Sequence, residues 1–87
     1  MKIQPYGPNQ TLLLDNGCTV LYSYETPVVL IDNDNHAFKT EKKWSVTTSK
    51  HINKFLRTEG HEPQEVALVP QEVLDDWKNH EFAEAKG

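Results

Sequence analysis

The pair Asn16-Gly17, set between Leu12-Leu13-Leu14 and the run from Thr19 to Tyr24, constrains this chain more than any other feature. A two-residue hairpin turn needs positive φ at its centre, and Asn-Gly supplies it at little steric cost. The β-prone runs on either side then have to pair antiparallel. Downstream the same logic holds: Pro27 opens a short buried-strand pattern, Val28-Val29-Leu30-Ile31, and Asp32-Asn33-Asp34-Asn35 reverses the chain before Ala37-Phe38. From Lys42 the alternation places Trp44 and Val46 on one face and Lys43 and Ser45 on the other, as in one more half-exposed strand. Residues 1–9, with two prolines and a glycine, read as an extended arm.

After Trp44 the period lengthens. Thr47-Thr48-Ser49 offers hydroxyls to the unpaired amides of a helix start, and Ile52, Phe55 and Leu56 follow at helical spacing. Lys50, Asn53, Lys54 and Arg57 fall on the opposite side, and Gly60 is placed to end the helix. A turn at His61-Glu62-Pro63 and a short apolar run, Val66-Ala67-Leu68-Val69, lead to Pro70, which suits a first helical turn. Val73, Leu74 and Trp77 then line one face of a helix over about 71–80, with Glu72, Asp75, Asp76 and Asn79 on the other. The tail 81–87 is expected to fray. A chain of 87 residues makes one domain. The expected fold is α+β: an antiparallel meander of about four or five strands with both short helices packed on one face. Sheet edges left open would allow a homodimer.

Charge is segregated along the chain. Residues 39–57 hold Lys39, Lys42, Lys43, Lys50, Lys54 and Arg57 against Glu41 alone, whereas 58–87 hold eight carboxylates against Lys78 and Lys86. Such a chain can meet partners of either sign on different faces, or neutralise itself on folding. No apolar stretch approaches the roughly 20 residues of a membrane helix, and the start lacks the apolar core of a signal peptide, so a cytoplasmic location is expected. A single cysteine, Cys18, leaves no internal disulfide and no cysteine-built zinc site.

The residues able to carry chemistry give few positive signals. Asp32-Asn33-Asp34-Asn35-His36 begins like a calcium loop, but Ala37 stands where glycine is needed and Lys43 where a bidentate glutamate is needed. The four histidines, His36, His51, His61 and His80, make no i, i+4 pair, and His51 reads as a half-buried packing residue. No serine, threonine or cysteine sits in a glycine-flanked nucleophile elbow, so no enzyme, metal or cofactor is expected. Thr47, Thr48, Ser49 and Lys50 at a helix start suit either plain capping or an anion such as phosphate. Lys39, Lys42, Lys43, Lys50, Lys54 and Arg57, with Trp44 among them, suit a phosphate-tracking strip with a stacking aromatic. Glu72, Asp75, Asp76 and Asn79 suit a charged face that steers a protein partner.

Ser23-Tyr24-Glu25-Thr26-Pro27-Val28 and Trp44-Ser45-Val46-Thr47-Thr48-Ser49-Lys50-His51-Ile52-Asn53-Lys54-Phe55-Leu56 resemble a family of small uncharacterised proteins of tailed-phage genomes and prophages. The resemblance implies a phage accessory protein acting in the bacterial cytoplasm, and carries no activity with it. The expectation is therefore a non-enzymatic protein that binds a host macromolecule, most simply a protein, in host takeover or anti-defence. The alternatives are a nucleic-acid-binding module using residues 39–57 and a binder of a small phosphate-bearing ligand near Thr48.

Overall fold

A computed structural model describes residues 2–15 and 17–79. The fold is α+β, with six strands in the spatial order of the sequence: β1 (Lys2–Gly7), β2 (Gln10–Asp15), β3 (Cys18–Ser23), β4 (Thr26–Ile31), β5 (Ala37–Thr40) and β6 (Ala67–Val69). The first five form an antiparallel meander. Between β5 and β6 runs α1 (Val46–Thr58), and β6 lies parallel to β5. A parallel pair requires such a crossover, because the chain has to return to the same end of the sheet. After β6 comes α2 (Gln71–Asp75), followed by a 3₁₀ turn at Trp77–Asn79.

The two expected hairpins form. Asp15 pairs with Cys18 across the first, where Gly17 takes φ +84°. A side chain at Gly17 would also meet Asn33 Cβ at 2.8 Å, so the position excludes other residues on two counts. The second hairpin is closed by Asp32, whose buried Oδ1 accepts the N–H groups of Asp34 and His36, each at 2.9 Å.

Four expectations about single elements are corrected. The extended arm is the edge strand β1, and its register skips Tyr6, whose ring meets Phe55 edge-on at 5.5 Å. Residues 42–45 form no strand; Ser45 is the N-cap of α1, and Val46, expected beside Trp44, is 73% exposed. The apolar run at Val66 supplies a sixth strand. The second helix stops at Asp75 rather than reaching His80, and its 3₁₀ continuation places Trp77 under the sheet. The tail 81–87 lies outside the described residues.

The helices also occupy opposite faces of the sheet. Leu12, Leu21, Val29 and Ile31 pack with Ile52, Phe55 and Leu56 of α1. Val20 and Leu30, alternating with these, pack with Leu74 and Trp77 on the other side. A bulge opposite Leu21 and Tyr22 turns Val28 as well as Val29 toward α1. Of the residues expected in the core, Ile52, Phe55, Leu56, Leu74 and Trp77 are buried, while Trp44 and Val73 are half-buried. The end of α1 is as expected: Gly60 takes φ +86°, its N–H reaches the Arg57 carbonyl, and the His61 N–H reaches that of Leu56.

Phe55 is fully buried between Tyr6 and the sheet. Phe55→Ala should therefore cost about 3–5 kcal/mol, a large part of what a domain of this size has. Urea denaturation of the variant beside the parent measures it, and a midpoint within error of the parent would show that the site collapses without loss.

Candidate functional site

Two assemblies on the α1 side of the sheet bring together residues distant in sequence. The first is a hydroxyl cluster at the start of α1. Ser45 Oγ accepts the Thr48 N–H at 3.3 Å, which caps the helix in the ordinary way. Thr48, expected as part of the cap, instead points inward, with its Oγ1 3.2 Å from Ser23 Oγ. Ser23 Oγ lies 2.9 Å from His51 Nδ1, and the His51 ring stands 6.3 Å from that of Tyr24, centroid to centroid. Tyr24 takes φ +58°, held there by its N–H bond to the Asn9 carbonyl.

A serine against an imidazole suggests nucleophile activation, but the geometry serves another purpose. Ser23 is 2% exposed, and its oxygen is shared between Thr48 and His51, so a substrate has no approach to it. The cluster locks α1 to the end of β3. Thr47, Ser49 and Lys50 stay exposed around it. Of the four residues read as suiting either plain capping or an anion, Thr48 is turned into the protein, and Thr47, Ser49 and Lys50 remain at the surface.

The second assembly is a groove of about 420 Å³ between the β5–α1 loop, α1 and β6. Trp44, Ile52 and Leu68 form its apolar floor, and Lys39, Lys42 and Lys43 supply charge along it, with Glu41 among them. Lys39 is fixed by donation to the Pro63 carbonyl at 2.7 Å, while Lys42 Nζ stands 4.4 Å above the Trp44 ring. The Trp44 indole N–H donates to Gln71 Oε1, and Gln71 Nε2 in turn donates to the Pro27 carbonyl. Trp44 is thus held by α2 and covered by Lys42. Lys50, Lys54 and Arg57 lie on the exposed side of α1, at helical positions facing away from the core.

Glu72, Asp75, Asp76 and Asn79 are all exposed, but they do not form one helical stripe. Glu72 and Asp75 belong to α2, Asp76 to its cap and Asn79 to the 3₁₀ turn. Asp75 accepts from Gln71, and Asp76 from the Asn79 amide.

A second cleft, of about 460 Å³, is lined by His36, His61, Glu62 and Glu65 around Phe38. Beside it the potential ligand atoms of Asp32, Asp34 and His36 lie within 4.8 Å of one another. The Asp32 Oδ1 contacts close the hairpin turn, in keeping with its reading as a polar turn. Cys18, half-buried, has its thiol pKa raised, first by burial and then by the nearby Asp32 carboxylate.

Fold and site together define a small α+β domain with a lysine-lined groove beside a sheet edge. The chain belongs to the family of unknown function DUF8033, whose model matches residues 1–75. That span contains both assemblies and ends at Asp75, inside the acidic group. No curated protein and no solved structure matches the chain.

Two outcomes follow from these contacts. Ser23→Ala removes the hydroxyl that joins β3 to α1 and should cost about 1–3 kcal/mol, measured by urea denaturation; the parent stability in that variant would mean that Thr48 and His51 find other partners. The raised Cys18 pKa keeps the thiol protonated through neutral pH. Its reaction with an aromatic disulfide reagent at about pH 8 should therefore be slower than that of free cysteine, and should rise only as the pH passes the usual thiol range of about 8.5.

Proposed function

We propose that this chain is a non-enzymatic binding protein that takes an acidic segment of a protein partner into the groove formed by Lys39, Lys42, Lys43, Trp44, Ile52 and Leu68. The observation that carries the reading is the pairing of an apolar floor with lysines on one accessible concave surface. An acidic segment with an apolar anchor complements both features, the anchor supplying buried area and the charges supplying orientation and a faster approach. The resemblance of residues 23–28 and 44–56 to small proteins of tailed phages supports a setting in the cytoplasm of an infected bacterium, with a host protein as partner in takeover or anti-defence. Among the described residues, no helix is long and apolar enough to cross a membrane.

The condition of Trp44 favours a protein over a nucleic acid. A stacking platform needs an open ring face, whereas this ring lies under Lys42 and its N–H is already committed to Gln71. Lys50, Lys54 and Arg57 remain available to phosphates, so nucleic acid is the outcome that the test has to separate.

Tagged parent and Lys42→Gln/Lys43→Gln variant, purified from infected cells with and without nuclease, give that separation. The expected result is a protein band that survives nuclease with the parent and is lost with the variant, whose melting temperature should match the parent because both lysines are exposed. Co-purifying nucleic acid that disappears with nuclease, together with any bound protein, would transfer the reading to the basic strip.

A further inference from the structure

The groove runs beside an open strand edge, and the hydrogen bonding of β6 tells which peptide groups that edge presents. Among the described residues, β6 is three residues long, stands last in the sheet and pairs with β5 alone. The Glu41 N–H donates to the Val69 carbonyl at 2.8 Å, so Val69 turns its peptide groups toward β5. Successive residues of a strand alternate in this respect. Ala67 therefore faces β5 as well, and Leu68 turns both its N–H and its C=O to the open side. The Leu68 side chain is 59% exposed and reaches the groove floor, on the same sheet face as its register partner Lys39.

Resting on the groove reading above, we propose that the acidic segment enters extended and adds to β6 as an antiparallel strand, one of its residues exchanging both backbone hydrogen bonds with Leu68. Antiparallel pairing is the arrangement in which a single residue can make both bonds. The residue opposite Leu68 then sends its side chain to the groove face, over Trp44 and Ile52, and this has to be the apolar anchor. Residues two positions away on either side point to the same face and have to be acidic, since the lysines lie along it. The recognised pattern is thus acidic, any, apolar, any, acidic. Pro70 follows β6 immediately and has no N–H, so the ladder gains no further donor from this edge beyond Leu68 in that direction. Strand addition of this kind draws affinity from main-chain bonds and selectivity from alternate side chains.

The probe is the capped peptide Glu-Thr-Leu-Thr-Glu, titrated into the isotopically labelled full chain and followed by NMR. Three relatives accompany it: one N-methylated at the central Leu, one N-methylated at the first Thr, and one with both Glu replaced by Gln. The parent peptide should shift the Leu68 amide and slow its hydrogen exchange. Methylation at Leu removes a bonding N–H and should weaken binding about tenfold or more, whereas methylation at Thr, whose N–H faces away from β6, should be tolerated. If both methylated peptides bind as the parent does while the Gln peptide binds more weakly, strand addition is overturned and the groove reading stands. If the Glu and Gln peptides bind alike, or neither binds, the groove reading fails and this inference falls with it.

Discussion

β4 is the strand on which the rest of the molecule depends. Val28, Val29 and Leu30 are fully buried and Ile31 nearly so, although neighbouring residues of a strand point to opposite faces. A strand with apolar side chains on both sides requires cover on both sides, and each such residue returns about 1.5–3 kcal/mol only when that cover is in place. The chain provides one layer by crossing over from β5 through α1 and the other by folding α2 and Trp77 beneath. With a single layer, Val20 and Leu30 would lie open to water.

This requirement was legible in the unbroken run Val28-Val29-Leu30-Ile31, yet periodicity alone placed both helices on one face. An apolar stripe shows that a helix packs, and not which side of a sheet receives it. The hairpins were readable because Asn-Gly and the Asp32 segment carry their own turn chemistry. The arm was less so, since prolines argue against a central strand but are tolerated on an edge, where a missing N–H leaves no partner unsatisfied. Residues 42–46 alternate over too short a window to distinguish a strand from the entry into a helix, and the Ser45 cap decided for the helix. β6 was hidden because its partner lies across the whole of α1 in sequence.

Of the site, the lysines were visible as a charge run, and their companions were not. Ser23 and His51 are 28 residues apart, and Ser23 and Thr48 are 25 apart, in a chain rich in hydroxyls. Nothing local marks them as neighbours; only the position of α1 over the end of β3 brings them together. Residues 23–28 and 44–56 meet in this contact, Ser23 and Tyr24 from the first segment and Thr48 and His51 from the second. The second block also supplies Trp44 and Ile52 to the groove, so the hydroxyl lock and the groove floor hang from the same helix.

The placement of the helices also decides what becomes of the segregated charge. Blocks of opposite sign in one small chain can cancel by pairing, but the ion contact seen among the described residues joins His36 to Asp32 at 3.6 Å, outside both blocks. The sheet stands between the cations of α1 and the carboxylates of α2, while Glu59 caps the end of α1 and Glu62 and Glu65 lie in the turn packed beside it. Lys50, Lys54 and Arg57 are carried outward on α1, on the side of the groove, while Glu72, Asp75 and Asp76 are carried outward on α2, on the other. Separation across a low-dielectric layer preserves the part of the field between α1 and α2 that pairing would have removed. The two-layer cover that β4 requires for burial is thus also what keeps these two sets of charges apart.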